Sequence, residues 1–129
     1  MYNFSGKRIL VTGSTRGIGH ATAGLLLSLG ATVGIHGRRL EQARAAADSW
    51  PGVPGHPVPL AGDFSDPENG AAVVRAFRDQ VGGLDGLVNN AGAGKALAFR
   101  ALTVDKWEAT FRANLEAAGL ADAVALKQA

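Results

Sequence analysis

The sequence predicts an α/β fold, a doubly wound parallel sheet with crossover helices. Two observations carry that prediction. Short apolar runs alternate with longer segments of helical period along the whole chain, which is the pattern of parallel strands joined through helices. A turn rich in glycine separates the first apolar run from the first helical segment, where such folds make their tightest connection. The 129 residues suit one domain, 1–129, with a continuous core.

Taken in order, the first strand is "RILVT" (8–12), followed by a helix at about 17–29. Gly30 follows "LLLSL" as a left-handed helix terminator. The second strand is "TVGIH" (32–36), and the next helix, about 39–49, must stop at the prolines and glycines of "DSWPGVPG". "HPVPL" (56–60) is the third strand. A third helix spans about 67–81, with Asp66 as its N-cap and Pro67 in the first helical position. "LDGLVNN" (84–90) is the fourth strand, and a fourth helix runs from about 104 to 127, capped by Thr103 with Asp105 in its first turn. Right-handed crossovers then favour double winding.

Composition narrows the function. The apolar share of 47% and charged share of 19% are those of a soluble globular protein, while 18 glycines are about twice the usual share. There is no cysteine, so thiolate catalysis, disulfides and Cys-based metal sites are excluded, and a reducing, cytoplasmic setting is compatible. No run is long or apolar enough for a signal peptide or a membrane span. A net charge of +2 with scattered arginines argues against nucleic acid and suits a small anionic ligand.

The glycine-rich turn reads "VTGSTRGIG", with Gly13, Gly17 and Gly19 around Ser14, Thr15, Arg16 and Ile18. Glycines let the backbone turn tightly and approach a ligand where a Cβ would collide. The helix start behind them offers unpaired N–H groups and a positive dipole end to a pyrophosphate. The alternative is a tight strand-to-helix turn without a ligand. Thr12 to Gly19 match T-G-x-x-x-G-I-G, and Asn89, Asn90, Ala91 and Gly92 match N-N-A-G directly after the fourth strand. On these two motifs the sequence resembles the short-chain dehydrogenase/reductase family, most nearly its 3-oxoacyl-carrier-protein-reductase-like members. The resemblance runs from about Phe4 to Lys127 and corresponds to the N-terminal half of a family member. It implies a Rossmann-type sheet, truncated after the fourth strand and its following helix.

The residues after the second strand choose between nicotinamide cofactors, because a carboxylate suits a free ribose 2′-hydroxyl and arginine suits a 2′-phosphate. Here they are Gly37, Arg38 and Arg39, and Arg16 lies in the glycine-rich turn. Paired guanidinium donors match phosphate oxygens, so NADP is expected over NAD. The alternative for Arg38 and Arg39 is a solvated start to the next helix. The resemblance further implies that Asp63 meets the adenine amino group with Phe64 as its backbone companion, and that Asn90, Ala91 and Gly92 flank the adenosine ribose with Asn89 steadying the strand end. The alternative for Asp63 is a loop residue capping the turn into "SDPEN". Ala93, Gly94 and Lys95 continue a loop that no motif assigns.

The family's chemistry uses a Tyr-x-x-x-Lys pair, a Ser and a helix Asn. A phenol must be brought toward neutrality by a nearby cation to trade a proton. The one tyrosine, Tyr2, is followed four positions on by Gly6, so that motif is absent from these residues. Asn114 matches the helix Asn and shares a helical face with Trp107 and Phe111; a buried structural amide is the alternative role. His20, His36 and His56 show no ligand or triad spacing and read as non-catalytic. The fourth strand is expected at a sheet edge, inviting self-association or pairing with a relative. Three readings follow: an NADP-binding oxidoreductase acting on a small carbonyl or alcohol substrate once completed, a nucleotide-binding or regulatory module, and a non-functional fragment.

Overall fold

The computed structural model describes residues 2–92, 104, 105, 108 and 116–126. The elements are β1 (Arg8–Val11), α1 (Gly17–Ser28), β2 (Thr32–Gly37), α2 (Leu40–Ala47), β3 (His56–Ala61), α3 (Glu68–Val81), β4 (Gly86–Val88) and α4 (Ala117–Leu126). All four strands are parallel in the order β3-β2-β1-β4, with Leu10 opposite Gly34 on one side and Leu87 on the other. The expected α/β, Rossmann-type sheet is therefore present. Among the described residues β4 pairs with β1 alone and forms one edge.

Strand alternation sends side chains to two faces. Ile9, Val11, Val33 and Ile35 pack with Ala23 and Leu27 of α1 and Ala46 of α2. On the other face Leu10 and Leu60 pack with Val73, Val74 and Phe77 of α3 and with Ala117 and Ala121 of α4. Phe77 is fully buried, a contribution of about 3 kcal/mol by area. Its ring fits because residue 34 is glycine: a Cβ there would lie 2.9 Å from Phe77 Cδ1 and 2.6 Å from Leu10 Cδ1.

The helix ends follow local chemistry. Gly30 (φ +96) terminates α1 as expected, its N–H bonding the Leu27 carbonyl at 3.0 Å. Gly82 (φ +83) ends α3 in the left-handed conformation and donates to the Arg78 carbonyl at 2.8 Å. At the start of α3, Asp66 Oδ1 accepts the Glu68 N–H at 3.1 Å and Pro67 already has helical dihedrals. β4 is shorter than the 84–90 run at both ends: before it the Asp85 carboxylate accepts from the Arg8 N–H at 2.8 Å and Nε at 3.0 Å, and after it the Asn90 N–H goes to the Thr12 hydroxyl instead of a strand partner. Helix α4 corresponds to the C-terminal part of the fourth predicted helix; residues 104, 105 and 108 are also helical. Thr103, Trp107, Phe111 and Asn114 lie outside the described residues.

Candidate functional site

Because the strands are parallel, the segments that follow β1, β2, β3 and β4 emerge at one edge of the sheet. Chain order reverses at β1, which has β2 on one side and β4 on the other. Open α/β sheets form a ligand crevice at such a switch point.

The glycine-rich turn makes the floor of that crevice. Gly13 (φ +64) and Gly17 (φ +62) take left-handed conformations that other residues adopt at a cost. A Cβ on Gly13 would stand 2.7 Å from Ala91 Cα, and one on Gly19 would strike the Gly13 carbonyl and the Asn90 amide. These two glycines let backbone pack on backbone. Gly17 is different: a Cβ there would meet nothing within 4 Å, so it would project into open space before the start of α1. That cradle fits a phosphate group. Arg16 enters the helix in an extended conformation, and the first turn of α1 has no acidic residue to compete with an anion. Arg16, Gly17 and Ile18 are exposed, Ile18 by 80%.

Ser14 faces inward and is fully buried. Its hydroxyl donates to the Val11 carbonyl at 2.8 Å and accepts the His36 N–H at 2.9 Å, while its own N–H donates to the His36 carbonyl at 3.0 Å. Both the hydroxyl and the N–H of Ser14 are thus engaged within the protein, so Ser14 shapes the turn rather than offering a donor to a ligand. Thr15 is half-buried beside Gly37, where a Cβ would come within 2.7 Å of Thr15 Cγ2.

The segment after β4 is tied to the same turn. Thr12 Oγ1 accepts the N–H groups of Asn90 (3.1 Å) and Ala91 (3.0 Å), and Asn90 Nδ2 donates to the Gly13 carbonyl at 3.0 Å. The two matched motifs are therefore one hydrogen-bonded unit. Gly92 is exposed beside them. Asn89 turns the other way and donates to Asp122 of α4 at 2.6 Å. Ala93, Gly94 and Lys95 lie outside the described residues.

Sequence reasoning gave no role to His36, and the structure gives it one. The imidazole is 3% exposed, accepts the Gly13 N–H at Nδ1 (2.9 Å) and meets the Gly62 carbonyl at Nε2 (2.8 Å). Phe64 stacks on it with ring centroids 4.5 Å apart. Burial lowers the pKa of His36, partly opposed by the bond to Gly62. The signal was a histidine in a buried parallel strand, which must find partners for both nitrogens.

Arg38 and Arg39 are exposed at the end of β2. Arg39 leans toward Glu41, Nε to Oε1 3.8 Å, at the start of α2. Asp63 is exposed and accepts the Ser65 N–H at 2.9 Å; the Ser65 bonds lower its pKa most, and Arg38 adds a smaller pull. The carboxylate thus makes the turn-capping bond, and Phe64 behind it is buried.

A parallel sheet with a glycine cradle at its switch point defines a Rossmann-type protein. Residues 7–128 match the family described as short chain dehydrogenase, and the chain belongs to that family. It is 41% identical over 90 residues to a glucose 1-dehydrogenase of Gluconobacter oxydans, covering 69% of this chain and 34% of the relative. It is 37% identical over 113 residues to the 3-oxoacyl-acyl-carrier-protein reductase FabG of Vibrio harveyi, covering 88% and 45% respectively. A short chain dehydrogenase from Burkholderia cenocepacia, solved in complex with NADP, superposes with a TM-score of 0.90 at 35% identity, over 98% of this chain and 52% of that one. The chain thus spans a third to a half of the length of these relatives. Among the described residues no helix is long and apolar enough to cross a membrane.

Proposed function

We propose that these residues hold NADP(H) for an oxidoreductase that transfers hydride between the nicotinamide and a small carbonyl or alcohol substrate. The observation that carries the reading is the Cβ-free cradle at Gly17, backed by the bonded unit of Gly13, Thr12, Asn90 and Ala91. In this reading Thr15, Arg16, Gly17, Ile18 and Gly19 receive the pyrophosphate, while Gly13 and Ser14, whose N–H groups are both bonded to His36, shape the turn behind them. Asn90, Ala91 and Gly92 flank the adenosine ribose, and Asp63 and Phe64 meet the adenine. The cofactor supplies the hydride; the chain supplies donors, a positive helix end and a fixed orientation.

NADP is preferred to NAD because the end of β2 offers Arg38 where a carboxylate would select a free hydroxyl. Arg16 is a second donor. Arg39 is the weaker candidate, since Glu41 draws it away. Asn114 is the family's helix asparagine in this proposal. A cytoplasmic setting belongs to the same reading.

The 129 residues contain no Tyr-x-x-x-Lys, which favours a second reading: binding of the dinucleotide without turnover by these residues alone, with a second copy or a relative as partner. Calorimetric titration with NADP and NAD tests the binding, and NADPH oxidation with a panel of ketones tests turnover. Binding without oxidation supports the second reading; no binding of either nucleotide overturns both.

A further inference from the structure

One buried imidazole joins two of the segments that border the crevice. An N–H can only donate, so the contact with Gly13 (2.9 Å) requires His36 Nδ1 to be unprotonated. A carbonyl can only accept, so the contact with Gly62 (2.8 Å) requires the proton on Nε2. Only the neutral ring with its proton on Nε2 makes both bonds at once. Phe64, stacked at 20° to the ring, holds its plane.

We infer that His36 is a positioning residue for the glycine-rich turn, and that its protonation unlatches Gly13 and weakens the hold on a dinucleotide. The second half of that inference rests on the crevice being a dinucleotide site. Protonation puts a hydrogen on Nδ1, so two donors face each other across 2.9 Å and one must move. Gly13 has little freedom to yield while it stays in place, because its Cα packs on Ala91 and its carbonyl is held by Asn90. The turn and the ring must therefore separate.

The surroundings offer the cation no compensation among the described residues. In the glycine-rich turn Ser14 and Thr15 are neutral and Arg16 is exposed; at the end of β2 Arg38 is exposed. After β3 Asp63 is exposed and engaged with Ser65. At the start of α3 Asn69 is neutral and Glu68 exposed, and after β4 Asn90 is neutral. Burial accordingly depresses the pKa of the ring.

The test uses the 129-residue chain in two measurements. Imidazole nitrogen NMR should show the Nε2–H form of His36 at neutral pH, with the Gly13 amide shifting on the same titration curve. Calorimetry with NAD, which has no 2′-phosphate to titrate, should show affinity falling by about tenfold per pH unit below that curve's midpoint, the slope for one linked proton. His36→Asn puts a carboxamide oxygen where Nδ1 stood and should flatten the profile; His36→Gln keeps only the Gly62 donor and should bind weakly at every pH. An Nδ1–H form, a Gly13 amide indifferent to the titration, or identical profiles in wild type and both variants overturns the inference. Absence of dinucleotide binding at pH 8 overturns the cofactor reading and the cofactor half of the inference, and the NMR titration then decides the latch itself. The wild-type NMR result stands even where a variant fails to fold.

Discussion

Asn90 Nδ2 donates to the Gly13 carbonyl at 3.0 Å, joining the segment after β4 to the turn after β1 across 77 positions of sequence. Thr12 reinforces the junction, since its hydroxyl oxygen accepts two N–H groups from the same segment. Thr12→Val removes that acceptor and leaves both donors behind a methyl group. We expect a loss of about 3 kcal/mol, read as a lower urea midpoint at unchanged slope.

Two glycines two positions apart, Gly17 and Gly19, should respond differently to alanine. Gly19→Ala drives a Cβ into the Gly13 carbonyl and the Asn90 amide, and backbone cannot give way cheaply, so about 2 kcal/mol or more of stability is lost. Gly17→Ala meets no atom within 4 Å but keeps a φ of +62. Its stability cost is about 1 kcal/mol, while NADP affinity drops more than stability does. Equal losses in both assays for both variants would remove the argument that Gly17 faces ligand.

Arg38→Asp should reverse cofactor choice. Losing a charge-assisted phosphate contact costs about 2 kcal/mol, roughly thirtyfold in NADP affinity, and the new carboxylate suits NAD. Arg39→Ala should change the ratio by less, because Arg39 already leans on Glu41. An unchanged NADP-to-NAD ratio in Arg38→Asp would show that this arginine is only a solvated helix start.

Stability should fall with acid in two separate ranges. His36 is held below its ordinary value of 6.5; the unfolded chain takes up that proton first, so stability is whole above 6.5 and declines below it. Asp85, held below 3.8 mainly by its bonds to Arg8, contributes above 3.8 and loses that contribution as pH falls through its folded value. Asp85→Asn should erase part of the lower decline only, and His36→Asn the upper one. Denaturant melts from pH 8 to pH 3 separate the two.

The core offers a plainer check. Phe77→Ala empties the space that Gly34 leaves for the ring, at about 4 kcal/mol. Gly34→Ala instead overfills it, with Leu10, Phe77 and Leu60 all within 3.1 Å of the added atom, for about 2 kcal/mol. The double variant should recover part of the loss, since the missing ring vacates the place of the new methyl.

Much of this was legible in the residues. Periodicity and turn chemistry located all four strands and three helices to within a few positions, because Gly30 and Pro67 act locally on the backbone. The glycine-rich turn was equally readable, as steric permission is written in residue type. The inward turn of Ser14 and the double bond of His36 were not, since each depends on partners 22 to 26 positions away. Asp63 shows the same limit: type and place allowed an adenine contact or a turn cap, and only the fold shows its carboxylate bonded to Ser65.

Gly13 is gripped through both of its flanking peptide groups, its N–H by a ring 23 positions ahead and its carbonyl by an amide 77 positions ahead. Neither grip exists until β2 and β4 have docked on β1, and closing the longer loop carries the larger entropic debt. The cradle is therefore an outcome of assembly rather than a local motif that folds ahead of it. During synthesis its nine residues can emerge, wait unformed, and acquire shape only once Asn90 has left the ribosome.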